Sequence, residues 1–384
     1  MEQTLKFQVN KDVLSEAVSF AVRLLPQKNT LQILSGILIE ADANALRLSV
    51  FDYEVSAQAE IVAKVEESGR VLVSGRLLSD IASRLPNAPV EFATDGSKVT
   101  VTCGPAKFTL PTMDVNAYPT LPDIPAISGS ISGEEFSEAV GQVAIAAAKD
   151  DATPPLTGVM FETSEKSISI IATDRYRIAM REVAWKGTAA AAGVNALVPA
   201  RTLQEVAKTF GNQGEIEIAI TSSDDRGMIA FKSNNRSVTS QLIKGSYPPV
   251  RSLIPSNLEH FSVVSTQDLI DSTRRVSLVL ERDSALPYTF TDGAVVLDAA
   301  GNETATASER VSAELTGEEI VVSLKPQYVI DALSSVHSEY ARISFTKSDQ
   351  PHRPGPVLIT AQESKDKAAA ENYRYLLQPN LLNK

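Results

Sequence analysis

Hydrophobic and polar positions along this 384-residue chain recur in one local pattern, six times over. The segments are QVNKDVLSEAV from Gln8, LVSGRLLSDIA from Leu72, SISGEEFSEAV from Ser130, LVPARTLQEVA from Leu197, VVSTQDLIDST from Val263 and SLKPQYVIDAL from Ser323. Each has an apolar residue, another five positions on, and an acid two beyond that. The triples are Val9/Leu14/Glu16, Val73/Leu78/Asp80, Ile131/Phe136/Glu138, Val198/Leu203/Glu205, Val264/Leu269/Asp271 and Leu324/Val329/Asp331. Successive acids lie 64, 58, 67, 66 and 60 residues apart, too even for coincidence. The first apolar residue predicts the end of a strand, followed by a turn and an amphipathic helix. Asn10, Ser74 and Ser132 read as N-caps, and Ser132 with Glu135 as a capping box. The recurring acid is expected in the early helical turns, where the macrodipole favours negative charge.

Between these helices lie alternating, strand-like runs such as LQILSGILIEADANALRLSVFD and EIEIAITSSDDRGMIAFKS, with turn residues such as Asp95-Gly96. Strands joined by short turns predict antiparallel sheets, so the class is α+β rather than a doubly wound parallel fold. Two pattern units per domain give three domains, 1–124, 125–254 and 255–384, each with two helices packed on antiparallel sheet. The Pro-rich stretches Tyr118–Pro125 and Tyr247–Pro255 mark the boundaries.

Composition narrows the chemistry. One cysteine, Cys103, excludes a disulfide framework and a multi-thiolate metal site. Three histidines, His260, His337 and His352, leave little for zinc or for His-based acid–base work. Neither a metal nor a cofactor is expected. No stretch reads as an export signal or a membrane helix, so a cytoplasmic protein without membrane contact is expected. No GxSxG, P-loop, GxGxxG, HExxH or EF-hand pattern is present, and the paired acids Asp150-Asp151 and Asp224-Asp225 read as solvated turns. An enzyme without a recognised motif is the alternative from another class.

Charge refines this picture. The net charge is −11, which opposes a generally basic surface. Windows over the six helices (11–25, 76–84, 133–149, 201–208, 267–275 and 325–336) carry 0, +1, −2, +1, 0 and 0, so the acidic excess lies outside them. Repeated units either open into a superhelix or close into a ring. Closure of two chains would place twelve helices inside, and at ~10 Å per helix the hole is roughly 28 Å wide, enough for hydrated duplex DNA.

The three-fold organisation and several motifs resemble the beta subunit of bacterial DNA polymerase III, the bacterial sliding clamp. Thr30-Leu31-Gln32-Ile33-Leu34-Ser35-Gly36 is similar to the family's T-L-P-I-L segment. Leu156-Thr157-Gly158-Val159-Met160-Phe161-Glu162 and Ala172-Thr173-Asp174-Arg175-Tyr176-Arg177-Ile178-Ala179 resemble L-x-G-x-x-F-E and A-T-D-x-x-R-L-A. Gly245-Ser246-Tyr247-Pro248 and Tyr375-Leu376-Leu377-Gln378-Pro379 complete the set, and the resemblance spans essentially the whole chain.

The resemblance implies a non-catalytic processivity factor, a head-to-tail homodimeric ring that encircles duplex DNA without reading sequence. It implies a pocket between the second and third domains for short hydrophobic peptides of the replicative polymerase, the clamp loader and repair proteins. Matching positions place Leu156, Thr173, Arg175, Tyr176, Arg177, Ile178, Pro248, Ser252, Leu253, Leu376, Leu377, Pro379 and Leu382 in or beside that pocket; Leu156 and Ile178 read equally as interdomain core. At the chain–chain joint the family pairs edge strands, and by position Lys107 and Phe108 oppose Leu278 and Val279, although Phe108 also reads as intradomain core. DNA-facing positions correspond to Lys28, Lys149 and Arg201, to which the charge pattern adds Arg76, Arg84, Lys208 and Arg275. Arg175-Tyr176 stands where some members have Gly-His, Gln378 replaces a common Met and Leu381 a common Arg, and Asn383-Lys384 extends the tail. These departures bear on peptide preference and leave open a specialised clamp paralogue.

Overall fold

The six-fold pattern becomes six α-helices. In a computed structural model, which describes residues 5–25, 31–211, 214–221, 227–256, 258–301, 305–348 and 354–381, the helices among those residues follow in chain order. They are α1 (Lys11–Arg23), α2 (Gly75–Ala82), α3 (Gly133–Ala144), α4 (Ala200–Phe210), α5 (Thr266–Val276) and α6 (Pro326–Ser334). Asn10 caps α1 by accepting from the Asp12 and Val13 N–H groups at 2.9 and 3.2 Å. Ser74 caps α2, and Ser265, which the pattern did not single out, caps α5 through the Asp268 N–H. Each cap satisfies a donor that the first helical turn leaves without an intrahelical acceptor.

The recurring acid is the sixth residue of every helix, a turn deeper than the dipole argument requires. Ion pairing accounts for it better. Asp80 meets Arg84 at 3.4 Å, Glu205 meets Lys208 at 2.9 Å and Asp271 meets Arg274 at 3.6 Å, all along the same stretch of chain. The other three reach a strand: Glu16 to Arg236 at 2.6 Å, Glu138 to Arg181 at 3.7 Å and Asp331 to Arg177 at 2.6 Å.

The chain divides into two compact units. One comprises Met1–Ser137, Ser164–Lys166 and Trp185–Leu242; the other comprises Glu138–Thr163, Ser167–Ala184 and Ile243–Lys384. The first unit holds a five-stranded sheet in the spatial order 64–67, 6–9, 90–95, 98–103, 106–111. It also holds a nine-stranded sheet ordered 186–187, 129–132, 215–221, 228–233, 236–241, 55–62, 45–51, 36–42, 69–74. The second unit runs 158–163, 167–173, 177–184, 373–377, 357–362, 340–345, 261–265, 306–316, 294–300, 286–291, 320–324. Within each unit the pairings are antiparallel, as the short turns predict.

Successive repeats are joined by one device. In the first unit Arg236–Gln241 adds to the edge of Val55–Val62, in register from Arg236↔Ala59 to Ser240↔Val55. In the second, Tyr373–Leu377 adds to Arg177–Ala184, from Arg177↔Leu377 to Arg181↔Tyr373. The corresponding strand of the first repeat, Ala106–Pro111, pairs only with Lys98–Cys103, so among the described residues its outer edge is free. Thr306–Thr316 pairs through 306–312 with Ala294–Ala300 and through 313–316 with Phe261–Val264. Its other edge over 306–312 is likewise free among the described residues.

Helix stripes and inward strand faces make the cores. In the first unit Leu14, Ala17, Val18 and Ala21 of α1 are buried, and Phe7 stacks on Phe92 with ring centroids 4.7 Å apart. In the second, Phe290 meets Phe345 edge-on at 4.8 Å. Phe92 is fully buried. We therefore expect Phe92→Ala to cost about 3–5 kcal/mol, read as a lower midpoint in chemical denaturation. A midpoint unchanged from the parent would contradict this packing.

Candidate functional site

The motif around Asp174 forms a tight turn between the strands Ser167–Thr173 and Arg177–Ala184 of the second unit. Asp174 builds the turn: its Oδ1 accepts from the Tyr176 and Arg177 N–H groups at 3.0 and 3.2 Å. Arg175 sits at its crest with φ +83°, in the left-handed region. Thr173 Oγ1 donates to the Arg177 carbonyl at 2.7 Å and closes the base. The tail locks on from the side, since the Gln378 N–H donates to the Tyr176 carbonyl at 2.9 Å.

Beneath the turn lies a buried charge network centred on Arg177, only 5% exposed. Its Nε donates to Asp174 at 2.9 Å, and its Nη1 to Asp331 of α6 at 2.6 Å and to the Tyr375 hydroxyl at 2.9 Å. Nη2 donates to the Ile145 carbonyl at 2.7 Å, and the guanidinium stacks 4.4 Å from the Tyr328 ring. Burial opposes the charge, but Tyr375, Asp331 and Asp174 outweigh it and hold the guanidinium protonated above its ordinary value. Arg177, one of the residues expected around the pocket, thus lies under the rim and fixes three segments against one another.

Beside this network is an apolar cluster of Ile171, Ile178, Met180, Val250, Leu358 and Leu376, with Met160, Tyr247, Ile254 and Leu258 half-buried against it. Two expected pocket residues, Ile178 and Leu376, therefore belong to one buried apolar cluster. Arg175, Tyr176, Pro248, Ser252 and Leu253 are exposed, Tyr176 by 54% and Leu253 by 62%. Leu377 and Pro379 are buried, Thr173 serves the turn, and Leu156 is buried in the single-turn helix Pro154–Thr157, outside that cluster. Leu382 lies outside the described residues. Pattern reading missed Val250, Met180 and Leu358, as well as Lys325, whose Nζ sits 5.8 Å from the Tyr176 ring and 5.6 Å from that of Tyr328.

The expected DNA-facing bases sit on or beside helices. Arg76 is on α2, Arg201 is on α4, and Lys149 follows α3; all three are exposed. Arg84 and Lys208 are each held by the acid of their own helix. Arg275 is gripped by Glu309 through two bonds of 2.7 and 2.8 Å, so it faces solvent already neutralised. Lys28 lies outside the described residues. Lys107 and Phe108 are exposed on the free-edged strand Ala106–Pro111. Leu278, 84% exposed, and half-buried Val279 lie on the single-turn helix Ser277–Val279 that follows α5, not on a strand.

Repeated two-helix modules joined by strand addition, with a buried apolar cluster beside one of the junctions, define the architecture of a clamp. Family models for the N-terminal, central and C-terminal domains of the DNA polymerase III beta subunit match residues 5–122, 130–249 and 251–369. The chain belongs to the DNA polymerase III beta subunit family. It is 42% identical over 376 residues to the beta sliding clamp of Streptomyces coelicolor, covering 98% of this chain and 99% of that protein. It is 46% identical over 311 residues to the beta sliding clamp of Micrococcus luteus, covering 81% of this chain and 100% of the relative. The crystal structure of the Bacillus subtilis DNA polymerase sliding clamp superposes with a TM-score of 0.88 at 25% identity, covering 99% of this chain and 100% of that one. A Pseudomonas aeruginosa sliding clamp bound to griselimycin shares the fold at a TM-score of 0.89 and 22% identity, covering 99% and 100%.

Two outcomes follow from the charges. Replacing Arg177 with Met leaves Asp174 and Asp331 facing each other without a counter-charge, and we expect a loss of about 3–5 kcal/mol in denaturation. Adding Asp174→Asn and Asp331→Asn should recover part of it; a stable single variant would contradict the network. Hydrogen bonds from Arg275 and then Ser272 hold the Glu309 carboxyl down at about 2, against an ordinary 4.5. Its contribution to stability is therefore complete above about pH 4.5 and is lost as pH falls toward about 2. Urea midpoints measured across that window should fall less steeply for Glu309→Gln than for the parent.

Proposed function

We propose that this chain is a sliding clamp: a non-catalytic, head-to-tail homodimeric ring of six domains that surrounds duplex DNA and tethers polymerase to it. The domains are 1–124, 125–254 and 255–384. The observation that carries the reading is the joining device. Strand addition occurs twice within the chain and leaves one donor strand, Ala106–Pro111, and one acceptor edge, 306–312, free among the described residues. A second copy supplies the missing partner for each, and the third junction then repeats the first two. Phe108 packs across that joint toward Leu278 and Val279, which lie beside the acceptor strand rather than on it.

The helix faces then carry scattered bases, several already paired, toward the DNA. Such a lining contacts phosphate loosely, whereas clustered free bases would grip it. Retention comes from topology. The apolar cluster at the Arg177 turn takes short peptides of the replicative polymerase, the clamp loader and repair proteins, in the manner of an anchored segment in a groove. A cytoplasmic location fits a clamp that acts on replicating DNA; separately, no described helix is long and apolar enough to cross a membrane.

The test is topological. The protein should migrate as a dimer of about twice its 41.2 kDa chain mass. Once loaded, it should remain on nicked circular DNA and be lost when the circle is cut. Equal retention on circular and linear DNA would overturn the reading.

A further inference from the structure

We propose that the first strand junction carries a polar docking cleft on the sheet face turned away from the helices, and that this cleft takes an acidic, hydrophilic segment of a partner protein. The cleft lies wholly within the first unit and depends neither on ring closure nor on the apolar cluster near Arg177.

The two junctions align residue for residue through their turns. Asp52 Oδ1 accepts from the Glu54 and Val55 N–H groups at 3.0 and 2.7 Å, as Asp174 does from those of Tyr176 and Arg177. From that anchor the strand registers run in step. The first junction has the rows Phe51↔Ser56↔Thr239↔Ala230 and Ser49↔Gln58↔Ser237↔Lys232. The second has Thr173↔Ile178↔Leu376↔Leu358 and Ile171↔Met180↔Arg374. Ile171, Ile178, Met180, Leu358 and Leu376 of the apolar cluster therefore correspond to Ser49, Ser56, Gln58, Ala230 and Thr239. Phe231 meets Phe136 of α3 with ring centroids 5.5 Å apart, and Arg236 reaches Glu16 of α1. Lys232 and Ser237 alternate with them and so point away from the helices. The same sheet position is apolar at one junction and polar at the other, and the polar face offers hydrogen bonds in place of an apolar anchor.

A cleft of about 400 Å³ opens on that face, with Arg47, Gln58, Glu60, Lys232 and Ser237 in its lining and Ile124 of the Pro-rich connector as an apolar wall. That size suits a short bound segment. Two cations, Arg47 and Lys232, stand there against one carboxylate, Glu60. Arg236 also borders the cleft, but its side chain is spent on Glu16 across the sheet. Arg47 meets Glu60 at 3.7 Å and Lys232 meets Glu217 at 3.9 Å, and all four side chains are about half-exposed. Pairs so long and so well solvated contribute little, so an incoming carboxylate can replace either acid at small cost. The Gln58 amide and the Ser237 hydroxyl, neighbours in the register, add neutral hydrogen bonds between the two cations. A locally basic cleft on a chain of net charge −11 is complementary to an acidic segment, and its polar floor rejects an apolar one.

A fluorescein-labelled Gly-Asp-Glu-Asp-Gly peptide, which has no apolar side chain, tests this by anisotropy against the full-length protein at low salt. A Gly-Asn-Gln-Asn-Gly peptide and a short single-stranded oligothymidylate serve as the other probes. The acidic peptide should bind and the amide peptide should not, and raising the salt to about 0.5 M should remove most of the binding. Arg47→Gln combined with Lys232→Gln should weaken the acidic peptide about three- to tenfold, the range expected for two exposed ion pairs. Lys64→Gln combined with Lys98→Gln, which removes two exposed bases elsewhere in the same unit, should leave its affinity unchanged. No binding of the acidic peptide, or equal weakening by the two double variants, would overturn the proposal. Tighter binding of the oligothymidylate, lost in the double variant at the cleft, would overturn it too and make the cleft a nucleic-acid site. None of these outcomes bears on whether the ring closes.

Discussion

An antiparallel strand that lacks a neighbour on one side leaves backbone donors and acceptors unsatisfied, and the architecture of this protein follows from where each repeat finds that neighbour. The last strand of each repeat is too peripheral to be covered within its own sheet. Twice it is laid against the edge that the adjoining repeat presents, five residues deep in both cases. Backbone pairing of this kind depends little on side-chain identity. Such a junction survives while the sequences of the repeats diverge, and it sets them in a fixed relation without a long linker.

The Arg177 network exists because of that junction. Arg177 opens the acceptor strand, and its paired residue Leu377 ends the donor strand. A guanidinium at this corner reaches the helical Asp331, the turn's own Asp174 and the Tyr375 hydroxyl at once. Burying it is tolerable because four of its five N–H donors are answered, two of them by carboxylates. In return the turn, the tail and α6 are held in one geometry, and the apolar cluster presents a defined surface. At the first junction the corresponding place, the start of the acceptor strand, is taken by uncharged Val55, while Arg236, held by Glu16 and 5.3 Å from the Phe20 ring, lies on the donor strand at the other end of the pairing.

Much of the fold was legible in the chain because helical periodicity and turn chemistry are local. The six helices lie where the pattern put them, and two of the named caps, Asn10 and Ser74, hold. What local pattern could not reach was pairing at a distance. The acids Glu16, Glu138 and Asp331 read as dipole residues because their partners lie far along the chain, 154 residues away for Asp331 and Arg177. The site was legible as motif and not as geometry. Ile178 and Leu376 were visible, whereas Val250 and Leu358 look like any buried strand or turn residue until the sheet is assembled. Leu278 and Val279, expected across the chain–chain joint, lie on the single-turn helix that follows α5.

The edges of Ala106–Pro111 and 306–312, free among the described residues, have a further consequence. In the proposed ring they are not self-complementary: one copy would offer the donor and the next the acceptor, so nothing in the contact itself would count subunits. Only the angle accumulated across three repeats decides whether two copies close or a third adds on. A mutation that slightly alters that angle at an internal junction, without touching either edge, would turn a closed particle into a growing filament.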